Sequence, residues 1–234
     1  MKQEIQGVSI LMPCLNEEKT VGACVKSAKR FLAENGLAGE VLVADNGSSD
    51  HSAEVASAAG ARVVSVPEKG YGAAILGGIK AAKYPFIIMA DSDESYNFLE
   101  IMPFYEKLAD GAELVIGNRF LGGIEQGAMP VLHRYVGNPL LSWAGRVKCG
   151  APVSDFHCGL RAFQKDAILS VGLCTTQMEF ASEMIVKAVK NGLKVEELPC
   201  RLYKDKRGRA SHLRSLRDGF RHLFFLLQPT WFEK

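Results

Sequence analysis

The chain has 234 residues, 47% hydrophobic and 23% charged, with a formal net charge of +2, which suits a soluble globular protein of one α/β domain or two small ones. Its six cysteines are scattered and form no CxxC pair, which excludes zinc-ribbon spacing and a disulfide-stapled secreted scaffold and predicts reduced thiols in a cytosolic protein. Lys2, Glu4 and Gln6 interrupt any apolar leader, and no run reaches the roughly 18–20 apolar residues that span a bilayer.

The first half alternates short apolar runs with amphipathic stretches. "VSILMP" (Val8–Pro13) reads as a buried strand. From about Glu18 to Glu34, Val21, Cys24, Val25, Ala28, Phe31 and Leu32 recur at helical spacing. "EVLVAD" (Glu40–Asp45) is the next strand, followed by a Gly47-Ser48-Ser49 turn and a helix through Ala59 capped by Asp50 or Ser52. "RVVSV" is a third strand, Gly70 and Gly72 open a small-residue helix that ends near Lys83, "FIIMA" is a fourth strand and "AELVIG" (Ala112–Gly117) a fifth.

This order predicts a mostly parallel central sheet with helices on both faces. Such sheets bind ligands outside the carboxyl ends of their strands. Polar residues collect there: Asn16 and Glu17 after the first strand, Asp45 after the second, Asp91 and Asp93 after the fourth. Each alone also suits a cap or a turn; their convergence is what points to a site.

The second half is less regular. Residues 119–135, "RFLGGIEQGAMPVLHRY", are glycine-rich without a period and read as a long functional or mobile loop. Helices are expected over Pro139–Val147, from about Met178 to Lys190 and over roughly Leu213–Leu227, with "KVEELPCRLY" as a further strand.

Asp91 and Asp93, separated by Ser92 where a strand ends, suit one hard cation. Mg²⁺ or Mn²⁺ prefers oxygen ligands and often takes only one or two protein carboxylates, with phosphates and water supplying the rest. The alternative is a solvated acidic turn. "EKGYGAAILGGI" lacks both GxGxxG and GxxxxGK[ST], which disfavours a dinucleotide-binding dehydrogenase or a P-loop kinase. Gly77 and Gly78 also suit close helix packing.

"MPCLNE", "ADNGSSD", "EKGYGAA", "MADSDES", "GNRF" and "SDFHCGLRAF" occur in the order found in glycosyltransferase family 2. The chain resembles its dolichyl- or polyprenyl-phosphate sugar transferases over nearly its whole length. The resemblance implies a single GT-A domain, with residues 1–118 as the nucleotide-sugar half and 119–234 as the acceptor half. It assigns Pro13, Asn16, Glu17 and Asp45 to the nucleotide, Lys69, Gly70 and Gly72 to the same pocket near base and ribose, and Asp91 and Asp93 to the diphosphate and its Mg²⁺ or Mn²⁺. Where relatives carry a Gln that joins the metal shell, this chain has the shorter Ser95, and "YNF" replaces their "PPE".

Arg119 and Arg134 correspond to basic residues that hold the acceptor phosphate, a role suited to the planar guanidinium fork. Arg209 joins them from a basic, glycine-containing stretch that also carries Arg207, Ser211 and His212. With Asp93, the first two arginines form the expected catalytic set. A lipid monophosphate is already ionised and attacks the anomeric carbon, with inversion, without the general base that a sugar hydroxyl needs. Asp155 and His157 are therefore expected to be structural or to position the acceptor, and Glu179 and Glu183, four apart on a helix, to face water or the site.

From Arg201 onward the chain is crowded with bases and continues into "HLFFLLQPTWF". No nucleic-acid motif accompanies them, and an anionic membrane surface fits better. The alternative is a core-packed helix with its bases in water. The resulting expectation is an inverting hexosyltransferase using a UDP- or GDP-sugar and a polyprenyl or dolichyl phosphate, peripheral at the cytosolic face of a membrane, with a membrane subunit or a second copy as further partners. A family 2 enzyme with a soluble acceptor and a nucleotide-sugar-binding protein without turnover are the alternatives.

Overall fold

A computed structural model describes residues 6–208, 221, 222, 224 and 225. In chain order its elements are β1 (Val8–Cys14), α1 (Val21–Glu34), β2 (Gly39–Asp45), α2 (Ser52–Ala58), β3 (Arg62–Ser65), α3 (Tyr71–Ala81) and β4 (Phe86–Met89). They continue with α4 (Met102–Ala109), β5 (Leu114–Asn118), α5 (Arg119–Gly122), α6 (Asn138–Cys149), β6 (Arg161–Gln164), α7 (Lys165–Ser170), α8 (Phe180–Lys190) and β7 (Val195–Pro199).

The described strands form one seven-stranded sheet in the order β3-β2-β1-β4-β6-β5-β7. It is mostly parallel, as expected. β6 alone runs against its neighbours β4 and β5. β1 is buried at all seven positions, because side chains alternate between faces and both faces of this central strand are covered. The six apolar residues expected on the inner face of the first helix are the six buried positions of α1. α3 lies close to the sheet because it carries glycines: a Cβ on Gly78 would come within 2.3 Å of Leu11 Cδ1, and one on Gly77 within 2.7 Å of Val66 Cγ2.

Parallel register aligns the strand ends. Cys14 pairs with Asp45, and Leu11 with Met89, so the loops after β1, β2 and β4 leave the sheet along one edge.

The expected loop over 119–135 is shorter than its composition suggests. Arg119–Gly122 form a helical turn, and a second helix is under way by residue 131 and passes through a π-helical stretch, His133–Gly137, into α6. Gly123 and Gly127 lie in the true loop between these pieces, and Gly122 ends the helical turn. The expected terminal helix, Leu213–Leu227, lies outside the described residues except for positions 221, 222, 224 and 225, which are helical.

Candidate active site

The loop after β4 is tied to the end of β1, where Ser92 Oγ donates to the Pro13 carbonyl at 2.9 Å. Asp93 Oδ1 accepts the Ser95 amide at 2.9 Å, which turns the chain, and Glu94 takes a left-handed φ of 65°. Asn16 on the β1 loop has φ 57°. Asn tolerates this region; Glu pays for it, on the order of 1 kcal/mol, which is the sort of strain that collects at functional loops. Glu94 leaves the site and pairs with Lys206 at 2.7 Å on the surface.

Asp91 and Asp93 play different parts. Asp91 Oδ1 accepts from the Tyr71 hydroxyl at 3.2 Å. Its other oxygen lies over Gly159, where a Cβ would sit 2.4 Å from Oδ2. Burial pushes the Asp91 carboxyl up, opposed by Arg207, by the Tyr71 bond and by Arg119 and Arg161. Burial and the Asp91 charge hold the Tyr71 phenol well above its ordinary value, so it stays a donor. Asp93 Oδ2 is bonded by Arg207 Nη2.

Arg207 also reaches Glu17 Oε1 at 3.3 Å and Asp205 Oδ1 at 3.5 Å. One guanidinium among three carboxylates leaves surplus negative charge in the way of any diphosphate that enters here, while Asp91, close by, is also under the charges of Arg119 and Arg161. Coulomb repulsion in a partly dry cleft makes that entry unfavourable unless a cation accompanies it. Among the described residues no three His, Cys, Asp or Glu converge as a ready-made metal cage. Asp91 and Asp93 nevertheless form an all-oxygen pair that already accommodates the positive charge of Arg207. The donor set fits a hard divalent ion that draws its other ligands from phosphate and water. Ser95 is buried and contributes its amide and carbonyl to loop bonds, to Asp93 and to the Tyr203 amide.

The residues expected around the nucleotide line one cleft edge, several of them as builders of it. Asp45 spends its carboxylate on the Gly47 and Ser48 amides, at 3.1 and 3.3 Å. Asn16 Oδ1 accepts the Ser49 amide at 2.7 Å, and the Glu17 amide donates to Ser52 Oγ at 2.7 Å. Lys69 Nζ donates to the Asn46 carbonyl at 2.9 Å, and the Gly70 amide to Asn46 Oδ1 at 2.8 Å. Gly70 has a φ of 135°, and a Cβ there would meet the Thr176 carbonyl at 2.0 Å; one on Gly72 would meet Phe180 Cβ at 2.6 Å. These glycines let the segment before α8 close over the start of α3. Asn16, Glu17, Glu18, Lys19, Asp50 and Arg207 line a cavity of about 240 Å³ at the strand ends.

On the acceptor side, Arg119 is buried. Its Nε and Nη2 donate to Asp155 Oδ2 and Oδ1 at 2.7 Å each, and its amide adds a bond to Oδ2 at 3.1 Å. Its two-pronged edge is thus spent inside the protein. Asp155 is fully buried in this pair, and its amide and that of Ser154 donate to Glu197 on β7, at 2.9 and 2.6 Å. That arrangement ties the end of β5 to the segment before β6 and to β7. Arg134 lies on the π-helical stretch, half-exposed, with its guanidinium 5.4 Å from the Tyr135 ring centroid. His157 packs edge-on to His222, ring centroids 4.4 Å apart, and neither of its ring nitrogens has a hydrogen-bond partner among the described residues. Glu183 is buried and holds the Thr175 amide and Lys187, at 2.8 and 2.7 Å, which rules out a water-facing role. Glu179 keeps a buried Oε2 without a hydrogen-bond partner among the described residues. Arg209, Ser211 and His212 lie outside the described residues.

Tyr71 and Gly159 lie within the EKGYGAA and SDFHCGLRAF stretches without being singled out there, and Asp205 lies in the basic run; the fold brings all three to the site. Arg207 was visible in the sequence as part of the basic, glycine-containing stretch that resembles the family's phosphate-facing loop; its bond to Asp93 is a product of the fold.

The chain is 40% identical over 221 residues to the low-salt glycan biosynthesis hexosyltransferase Agl6 of Haloferax volcanii, covering 94% of this chain but only 53% of that protein. It is 29% identical over 192 residues to a dolichyl-phosphate hexose transferase of the same organism, covering 82% and 81% of the two chains. Glucosyl-3-phosphoglycerate synthase from Mycobacterium tuberculosis, crystallised with Mn²⁺ and UDP-glucose, has a similar fold, with a TM-score of 0.75 at 23% identity over 97% of this chain and 79% of that one. The GT-A architecture expected from the sequence is therefore the one observed. Residues 9–172 match the model of glycosyl transferase family 2, and the chain belongs to that family.

Proposed function

We propose that the protein is an inverting glycosyltransferase that moves a hexose from a UDP- or GDP-sugar to a polyprenyl or dolichyl phosphate at the cytosolic face of a membrane. The observation that carries this reading is the cluster at the carboxyl ends of β1 and β4. Asp93 and Glu17 share Arg207, and Asp91 lies close enough to feel that charge together with those of Arg119 and Arg161, a carboxylate-rich pocket suited to a cation-escorted diphosphate. Asp91 and Asp93 would hold Mg²⁺ or Mn²⁺, which when bound offsets charge on the departing nucleotide diphosphate. Arg207 is placed to follow the diphosphate, and Tyr71 and Gly159 set the orientation of Asp91.

The acceptor reading draws support from the absence of an available base at Asp155. Both of its oxygens are bonded by Arg119 and the residue is fully buried, so it is not open to an acceptor hydroxyl. An acceptor that arrives ionised needs no such group. Arg134, half-exposed and without a carboxylate bridge among the described residues, is the arginine assigned here to the lipid phosphate. The relative named as a dolichyl-phosphate hexose transferase agrees with this choice. A soluble hydroxyl acceptor is the second reading, and Glu179 Oε2, buried without a hydrogen-bond partner among the described residues, is what favours it.

A donor-by-acceptor assay tests both. Purified protein with Mg²⁺ or Mn²⁺ is given a panel of UDP- and GDP-sugars, with a short polyprenyl phosphate or lipid-free acceptors. Transfer to the lipid phosphate supports the first reading. Transfer only to a soluble hydroxyl acceptor, lost in Glu179→Gln, replaces it with the second.

A further inference from the structure

β6 and β7 pair with β5 from its two sides; Cys158 lies just before β6, and Cys200 directly follows β7. Both are buried free thiols, and their sulfurs meet across the end of β5 at 3.5 Å. Gly117 on β5 leaves the room for this, since a Cβ there would lie 2.6 Å from Cys200 Sγ and 2.8 Å from Cys158 Sγ.

The surroundings favour a thiolate at Cys158. The Tyr96 hydroxyl accepts the Gly159 amide at 2.9 Å, which leaves its own proton for Cys158 Sγ, 3.5 Å away. Burial raises the Cys158 thiol, but the Cys200 bond, the Arg119 charge and the Tyr96 bond outweigh it and hold the thiol below its ordinary value. A thiolate beside a thiol is the arrangement from which a disulfide forms.

Each cysteine is also tied to the candidate site. Cys158 precedes Gly159, on which Asp91 rests. Cys200 starts the segment that carries Arg207 to Asp93. Along it the Leu202 and Tyr203 amides donate to the Gly123 and Ser95 carbonyls at 2.9 Å each, and the Lys206 amide donates to the Asp93 carbonyl at 3.1 Å. A disulfide holds its sulfurs about 2.05 Å apart, so closing one here draws the roots of these two segments together.

We infer that Cys158 and Cys200 are a redox modification site, closed to a disulfide by a peroxide and reopened by a thiol reductant. The Cys158 thiolate attacks one peroxide oxygen; the O–O bond breaks, and hydroxide leaves and takes up the proton that Cys158 released. The Cys200 sulfur then attacks the resulting sulfenic sulfur. The S–S bond forms, the S–O bond breaks, and hydroxide departs with the Cys200 proton as a second water. The sulfurs together lose two electrons, and the peroxide gains them. Hydrogen peroxide is small enough to reach buried sulfurs through local opening of the covering segment. Bond formation is independent of the transfer reaction. That the bond slows transfer, by shifting Gly159 and the Arg207 segment, rests on the reading proposed above.

The test is non-reducing peptide mapping of the full chain after hydrogen peroxide, with remaining thiols alkylated in denaturant. A Cys158–Cys200 cross-link that dithiothreitol removes is the expected result. Full alkylation of both, with oxidation confined to the exposed Cys174, overturns the inference, as does a sulfinic acid at Cys158 without a cross-link. Hexose transfer is followed on the same samples. Its kcat should fall about tenfold or more, since a displacement of about 1 Å in a site costs up to about a hundredfold, and dithiothreitol should restore it. C200S should keep the untreated rate and lose the peroxide response; an equal response in C200S overturns control by this pair. Thermal melting shows whether the variant is folded, and the wild-type map decides the cross-link whatever the variant does. A cross-link in a chain that transfers hexose to no acceptor sinks the proposed reaction and leaves the redox pair standing. Transfer that ignores a formed cross-link removes its control over the site.

Discussion

Arg119 and Asp155 form a two-point ion pair in the interior, with both guanidinium-to-carboxylate distances at 2.7 Å. The pair joins the end of β5 to the segment that precedes β6. Asp155→Ala leaves the Arg119 charge buried and unpaired, at an expected cost of about 3–5 kcal/mol. Arg119→Lys keeps the charge but loses the fork, so it should destabilise too. Denaturant unfolding checks both, and unchanged midpoints would refute a structural role.

Arg207 bridges Glu17, Asp93 and Asp205 from a segment far along the chain. Arg207→Ala removes the cation that these carboxylates share. The expected outcome is a donor KM raised about tenfold or more, since hydrogen bonds to charged groups contribute roughly 1.5–3 kcal/mol, together with a lower metal concentration for half-saturation. Steady-state kinetics across a metal titration measure both. A donor KM that does not change removes Arg207 from the diphosphate site.

Gly159 gives Asp91 its place. In Gly159→Ala the new methyl lies 2.4 Å from Asp91 Oδ2 and 3.2 Å from Tyr96 Cε2, so the carboxylate must swing away. The stability cost of such overpacking is about 1–3 kcal/mol, while kcat is expected to fall by more than tenfold because the displaced group belongs to the site. Parallel melting and kinetic measurements separate these effects. Full kcat would show that Asp91 need not hold this orientation.

Arg134→Ala should raise the KM for lipid phosphate by about tenfold and leave donor affinity nearly unchanged, as expected for one lost charge-assisted contact. Equal losses on both substrates would move Arg134 out of the acceptor site.

His222 is buried, with Nδ1 2.9 Å from Ser182 Oγ, and burial followed by the Arg161 charge pushes its pKa down to about 4. Below its ordinary value of 6.5 the unfolded chain takes a proton that the folded one refuses. Stability is therefore full above about pH 6.5 and falls as the pH drops towards 4, by about 3 kcal/mol in all. Its neighbour His157 is pushed down as well, by burial first and then by His222 and Arg119, and adds in the same direction. Thermal unfolding across this range should show the decline, and His222→Leu should flatten it in part. A flat wild-type profile would contradict the burial of both rings.

The chain order of β1 to β4 and the buried face of α1 were legible because they rest on local signals. An apolar run makes a doubly covered strand, and a 3.6-residue period makes a helix face. Parallel pairing then sends every strand's end to one edge, so Asn16, Glu17, Asp45, Asp91 and Asp93 could be gathered from sequence before any contact was known.

β6 was not legible. It is four residues long and begins with Arg161, which is buried only because it donates to the carbonyls of Phe156, Cys158 and Ala181. Segment 131–149 carried a misleading pattern, since its inward face is made of small residues and its apolar face points out.

The sequence by itself determined the α/β order, the family and the edge at which the site lies, because repeating local patterns and strand direction suffice for these. Only the tertiary structure decided which charges are free to act. It paired Arg119 with Asp155, brought Arg207 onto Asp93, and set Asp91 between Tyr71 and Gly159. Each of these depends on a contact between residues remote in the chain, whose geometry no local period encodes.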